Sequence, residues 1–322
     1  MRGWPARHNI RQGSSFKGNN MTTRAVGPGR GWSWLVRAVN LGSHNARALF
    51  GAGALLLVIG LLPTVLQMLF GPNGTDMPSA AAMGGWVLFS VLYSVLVMPP
   101  AMAGFLRVIH ASETGAQVRA TAIFDGYRQG AGRIIGLVVV LMLIAIAVIA
   151  AVAAMFGEEF LTGMTRFMTA VQTASSTGQT ELPPVPDGIG TLFVVLLVFG
   201  LFFNGVYALS VGQVALGGHG IGQALRDGFA GALKNVLPLL VLLVIAIVVG
   251  ILAGIVVALL MGLLAAIGGL VHTAVAAALL VPVYLIVMLA VYVIAFGVMY
   301  FMWRDICADG AVATVRNDQV EV

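Results

Sequence analysis

The chain has 322 residues, 59% of them hydrophobic and only 9% charged, with a mean hydropathy of +0.99. Soluble domains carry about 25% charged residues, so this composition excludes a water-covered globular surface and leaves a helical integral membrane protein. The net charge of +5 is spread over a leader and several loops, a distribution that orients a chain in a membrane and does not build a nucleic-acid site. Cys307 is the single cysteine, which excludes an intrachain disulfide and a cysteine-based metal cluster.

Residues 1–31 are rich in Gly, Arg and Asn and lack the apolar run of a signal peptide. They read as a disordered basic arm, with Met21-Thr-Thr-Arg24 as an alternative start, and a membrane domain is expected over 32–306. Trp34, Leu35, Ala38 and Leu41 recur at helical spacing, with Arg37, Asn40 and His44 on the other side. That pattern predicts an amphipathic helix lying in the membrane interface. Span one follows at 48–70, lightly broken at Pro63, then a polar turn at 71–76, and span two at 85–109 with Pro99-Pro100 inside it.

A second amphipathic segment sets Ala120, Ile123, Phe124 and Tyr127 on one face, away from Arg119, Asp125, Arg128 and Gln129. Span three covers 134–156. Residues 158–173 repeat with helical period and are expected to lie on the outer surface or to prolong span three beyond the bilayer. A loop with Ser175-Ser-Thr-Gly178 and Pro183-Pro-Val-Pro186 leads to span four at 191–216. The third amphipathic segment, 221–234, sets Ile221, Leu225, Phe229 and Leu233 against Arg226, Asp227 and Lys234. Span five is placed at 236–261, in an apolar run that continues to Leu270. That run makes about 50 Å of helix against a hydrocarbon core of about 30 Å, so it must tilt, project outward or break near Gly268-Gly269. Span six covers 277–303, and 307–322 form a polar tail.

Six spans with alternating loops put nearly all of the 17 Lys and Arg on one side, with Arg166 alone opposite, while the long outer loop carries Glu158, Glu159, Glu181 and Asp187. The positive-inside rule makes the basic side cytoplasmic. The expectation is a bacterial inner-membrane protein with both termini and three amphipathic helices on the cytoplasmic side.

An internal echo suggests how the spans are grouped. Asp125-Gly-Tyr127 and Asp227-Gly-Phe229 stand 102 residues apart, and each precedes a basic residue and a span. The segment ending Asn45-Ala-Arg47 has the same layout without that signature. The economical reading is three parallel units, each an inner-surface helix followed by a transmembrane hairpin, with Asp125 and Asp227 as capping or ion-pairing residues.

At these positions the chain resembles a group of six-pass proteobacterial inner-membrane proteins. The likeness rests on Gly31-Trp-Ser-Trp-Leu35, Met98-Pro-Pro-Ala-Met-Ala-Gly104, Ile123-Phe-Asp-Gly-Tyr127 and Trp303-Arg-Asp-Ile306. Those proteins are similar in turn to the YciC-like proteins and to the membrane domain fused to some glycerophosphodiester phosphodiesterases. The resemblance spans roughly residues 30–306 and implies topology without a catalytic residue, since the family has no established activity and this chain carries no soluble phosphodiesterase domain.

Span five holds small residues at every fourth position, among them Gly250, Gly254, Ala258 and Gly262. In lipid, small residues let helices approach closely, so the stripe is expected to pack against another span of this chain, with a second subunit as the other candidate partner. Gly254→Leu is then expected to disturb packing where Val256→Leu does not. Asn204, near the middle of span four, needs a hydrogen-bond partner there, and an interhelical bond is the first expectation. Pro99 and Pro100 withhold helical donors from the Val95 and Leu96 carbonyls, which predicts a kink. Tyr284, Met288, Tyr292, Phe296 and Tyr300 form a packing stripe on span six.

The sequence shows no HExxH, GxSxG or Walker loop and no ionisable residue in the middle of a span. The reading is therefore non-enzymatic, with no cofactor, no metal and no nucleic acid. It is a protein acting through subunit contacts and through anionic lipid headgroups at the cytoplasmic face. The alternative is a transporter or lipid-handling permease with a path between the hairpins near Asn204.

Overall fold

The structure is a computed structural model that describes residues 23–43, 45–70, 80–177, 185 and 187–308. Every regular element among them is helical, and six helices are long and apolar enough to cross a membrane. In chain order these are α1 (Arg30–Val39), with a 3₁₀ turn at Leu41–Ser43; α2 (Ala46–Phe70); α3 (Ala80–Leu96) and α4 (Met98–Glu113), two pieces of one span; a 3₁₀ segment Ala120–Phe124 running into the short α5 (Asp125–Arg128); α6 (Ala131–Thr177); α7 (Ile189–Ala215); α8 (Ile221–Lys234); α9 (Val236–Gly269); and α10 (Thr273–Ile306). The polar turn at 71–76, much of the Ser- and Pro-bearing loop, and the tail beyond 308 lie outside the described residues.

The third amphipathic helix matches the expected 221–234, α7 and α10 overlap the expected fourth and sixth spans to within four residues at each end, and α9 runs on past the expected 261 to Gly269. Four expectations change. The basic arm ends sooner than residue 31: Thr23 to Gly29 are laid down on the bundle, as the hydrogen bonds below show, while 1–22 fall outside the described residues. The second amphipathic segment is a 3₁₀ turn plus one helical turn, not a continuous helix. Pro99 and Pro100 do not kink a helix; they open a new one, in its first turn, where a missing N–H goes unnoticed. In α6 the chain breaks at Gly157 (φ 78°), a backbone conformation that favours glycine, before the helix resumes toward Thr177.

The helices α4, α7 and α10 finish at one end of the bundle, where α2, α6 and α9 begin. Every described Lys and Arg except Arg166 lies at this basic end. There, three elements fold back along the span ends. Ile123 meets α4 at Gly104 and Gly126 meets it at Pro100, so the 3₁₀–α5 segment runs antiparallel to α4. Along α8, Gly228 lies on Val206 and Ser210, Gly231 on Leu209, and Ala232 beside Gly205, so α8 runs antiparallel to α7. Helix α1 does the same on the last span, with Trp34 at Asp305 and Ala38 at Gly297. It also covers the start of α9, where Gly31 sits on the Pro238 carbonyl.

Small residues make these seams because the backbones nearly touch. A Cβ on Gly126 would collide with the Pro100 carbonyl and one on Gly228 with the Ser210 hydroxyl. The glycine of each Asp-Gly-aromatic motif is thus its contact with the preceding span. Large apolar residues of the fold-back helices face outward instead of into the seams. Phe229 and Leu233 on α8 are exposed while Ala224, Gly228, Gly231 and Ala232 are buried; Trp32, Val36 and Val39 on α1 are exposed while Gly31, Trp34 and Ala38 are buried. Each fold-back helix therefore presents a seam to protein, a greasy stripe to lipid and a polar stripe to water.

Burial is concentrated in the basic half. Val211 and Val293 are buried, yet Phe193, five turns up the same face of α7, is 66% exposed, and so is Ile286, two turns up the same face of α10. The far halves of the spans splay apart. Helix α9 is the extreme case, with none of its most apolar window buried. Gly250, Gly254 and Gly262 have open space where a Cβ would stand, and Ala258 is exposed. The expected packing of this stripe on another span of the chain is thereby overturned. At its tip the hairpin closes tightly, Gly268 against Ala276, with the His272 ring capping α10 by accepting the Ala274 N–H at 3.1 Å.

The seams make a direct prediction. Gly126→Val and Gly228→Val force backbone apart and are expected to lower stability by about 3 kcal/mol or more, read as lost monodisperse protein and a reduced Tm in detergent. Gly254→Leu and Val256→Leu should both match the parent in the same assay.

Candidate functional site at the basic end

The polar groups of the chain converge where the spans end. Asp305, in the last turn of α10, is the hub. Its carboxylate accepts the Trp34 indole N–H at 3.0 Å and Arg37 guanidinium hydrogens at 2.5 and 3.3 Å, and Arg30 stands at 3.6 Å. The adjacent Arg304 pairs with Glu113 of α4 at 3.4 Å. The guanidiniums of Arg37 and Arg304 both stand over the Phe301 ring, each 4.7 Å from its centroid. This clasp joins α1, α10 and α4 through two ion pairs and one aromatic ring. Both arginines are about a quarter exposed, so each pair is worth about 1 kcal/mol and each cation–π contact about the same.

A second network ties α7, α8 and α10. Gln213 donates to Asp227 at 2.7 Å and accepts from the Trp303 indole at 3.2 Å, all three buried. The sequence pattern sets Asp227 on the water face; the structure buries it at 2% exposure because a glutamine on the neighbouring helix supplies the donor. Its counterpart Asp125 is only partly buried. There Arg107 of α4 does the joining, donating to the Asp125 and Gln129 carbonyls at 3.3 and 2.8 Å and to the Ala215 carbonyl at the end of α7 at 3.0 Å. Arg133 reaches the Gly218 carbonyl at 2.9 Å, linking the α5–α6 and α7–α8 turns.

The irregular segment Thr23–Gly29 closes the end. The Asn235 side chain, fully buried between α8 and α9, donates to the Arg24 carbonyl at 3.0 Å and accepts the Val26 N–H at 2.8 Å, so it holds the segment as a second backbone would. Lys234 binds the Thr23 carbonyl and hydroxyl at 3.0 and 3.1 Å. The Arg24 N–H bonds the Ile306 carbonyl at 3.0 Å, and its guanidinium caps the Asp305 and Arg304 carbonyls left over at the end of α10.

The other singled-out residues fall into place around this end. Tyr127 donates its hydroxyl to the Val97 carbonyl at 2.7 Å, at the break before Pro99, and Tyr93 donates to the Ile59 carbonyl at 2.7 Å, the group that Pro63 deprives of its helical donor. Phe296 packs edge-on to Phe105 with centroids 5.3 Å apart, and Tyr300 meets His110 at 3.2 Å, so the lower part of the α10 stripe is core; Tyr284 is exposed. Phe229 lies beside Phe202, 6.0 Å between centroids. Asn204 makes no interhelical bond among the described residues: its amide donates to the Gly200 carbonyl of its own helix at 2.8 Å, and the side chain stands exposed where the α7 face leaves the core.

Gln213 and Asn235 are residues that sequence reasoning passed over, and it took Trp34, Arg37 and Asp305 only as parts of a helical pattern or a motif, without their mutual contact. Polar side chains at the very ends of apolar runs were the available signal. Among the described residues no group of three or more His, Cys, Asp or Glu is placed to hold a metal ion. Arg47, Arg119, Arg128, Arg133 and Arg226 are exposed and have no carboxylate partner among the described residues.

Two outcomes follow. Asp305→Ala strands Arg37 and the Trp34 N–H and is expected to cost about 2–4 kcal/mol, the cost of breaking a buried pair reduced for partial exposure, read as a lower unfolding midpoint. Burial, reinforced by the Asp227 carboxylate and opposed by Arg24, pushes the Cys307 thiol up to about 12. It should therefore resist maleimide at about pH 8, where only a thiolate reacts, and react fully once the protein is denatured.

No protein-family profile, curated protein or solved structure matches this chain, so function has to be argued from the geometry of the basic end.

Proposed function

We propose that this chain is a multi-pass protein of a bacterial inner membrane, with both termini cytoplasmic, that acts without catalysis through contacts with anionic lipid and with other membrane subunits. One observation carries the reading. At the basic end, exposed apolar residues of the fold-back elements (Trp32, Phe124, Phe229) stand among exposed arginines (Arg47, Arg119, Arg128, Arg226) that lack a carboxylate within the described chain. Apolar groups entering the acyl layer beside cations at headgroup depth suit an anionic leaflet. The second and third fold-back elements each lie on the end of the span before them and α1 lies on the last span, an arrangement that supports the division into three parallel units and the kinship with six-pass inner-membrane proteins. With α1 seated on α10, the third unit is joined to the first.

A second reading has its own observation. The spans are packed at the basic end and open in the far half, with Asn204 at the border. That opening favours a lipid-handling permease over a closed scaffold.

Native mass spectrometry from nanodiscs tests the first reading. Phosphatidylglycerol should be retained in preference to phosphatidylcholine, and Arg119→Gln/Arg128→Gln/Arg226→Gln should reduce retention roughly tenfold, about 1.4 kcal/mol shared over three exposed charges. Equal retention of both lipids by the parent would overturn it.

A further inference from the structure

We propose that the Phe301 clasp is a releasable latch. In the arrangement described here it holds the basic ends of α1, α4 and α10 together. When it opens, those ends part and the far halves of α3, α7 and α10 approach one another.

Three observations carry this. The first is the asymmetry of packing: interior faces of α7 and α10 that are buried at Val211 and Val293 become exposed at Phe193 and Ile286. A bundle closed at one end and open at the other has unused contact surface in the open half, and rocking the spans would exchange one set of contacts for the other. The second is the makeup of the closure. Arg37–Asp305 and Arg304–Glu113 reach the surface and meet over one ring, so water can replace each partner as it leaves. An interface closed only by tightly packed apolar side chains would have no such replacement. The third is the position of the helix breaks. Pro63 in α2 and the Val97–Pro100 break between α3 and α4 lie where burial gives way to exposure; the Ile59 carbonyl that Pro63 deprives of its donor accepts from Tyr93, and the Val97 carbonyl at the break accepts from Tyr127. These are points about which the two halves of a span can change angle. The proposal goes beyond both readings above, since a lipid-anchored scaffold needs no second arrangement.

Spin-label distances in nanodiscs test it. In a Cys307→Ala background, Asn40→Cys with Thr114→Cys reports the basic end, and Met83→Cys with Phe193→Cys reports the far end. Arg37→Gln/Arg304→Gln should raise, by roughly fivefold or more, a second population in which the basic-end distance lengthens and the far-end distance shortens to the same extent of occupancy. Phe301→Leu, which leaves both ion pairs, should give a smaller rise of the same population. Unchanged distances in both pairs would overturn the proposal, as would basic-end lengthening without far-end shortening, which is fraying. Should the double variant fail to fold, the unaltered clasp in about 1 M salt, which screens exposed pairs, is read by the same criteria.

Discussion

One carboxylate seats the first helix of this chain on its last. Asp305 collects the Trp34 indole and the Arg37 guanidinium, and so fixes α1 in the groove between α9 and α10. With α1 in place, the segment before it lies within reach of Asn235 and the carbonyls at the end of α10, and the polypeptide after it enters α2 beside α4 and α10. Remove that anchor and the first and last helices are left with their glycine seam and the Arg24 bonds to the carbonyls at the end of α10.

A polar anchor matters more here than in a soluble protein. Lipid tails are as apolar as leucine, so moving a leucine from lipid to a helix interface brings little of the gain that drives soluble folding. Selectivity has to come from close backbone approach and from polar groups that lack water. Both are concentrated at the same end. Gly104, Gly126, Gly228 and Gly297 let backbones meet, and Arg107, Gln213, Asn235 and Asp305 satisfy carbonyls, amides and charges on neighbouring elements. The large apolar residues of α8 and α1 are consequently free to face lipid, the reverse of their place in a soluble amphipathic helix.

The far half has little of either device beyond the hairpin tip at Gly268. Gly250, Gly254 and Gly262 on α9 touch nothing, hydroxyls on α6 bond back to their own helix, as those of Thr165 and Thr169 do, and Asn204 does the same. Segments without mutual ties separate, and the splay of the spans follows. One closely packed end and one open end fit the proposed lipid contacts and the proposed permease reading alike.

Span number, the approximate position of each span and the single basic side were legible from the sequence because they depend on length, hydropathy and charge within one segment. So was α8, whose limits at Ile221 and Lys234 match the periodic reading, and so was the Asp-Gly-aromatic echo as a pattern. The roles of its members were not. Whether Asp227 meets water or Gln213 depends on a residue 14 positions back and on Trp303, 76 positions ahead. Whether Pro99 and Pro100 bend a helix or begin one depends on what surrounds the Val97 carbonyl, which only the approach of Tyr127 discloses. The α9 stripe is the clearest case: small residues at every fourth position state that a helix can be approached, and only the placement of its neighbours decides whether anything does. Sequence thus determined what each segment can tolerate around it, while tertiary structure chose the partner, because in an apolar solvent the pattern along a helix is nearly the same whether lipid or protein lies against it.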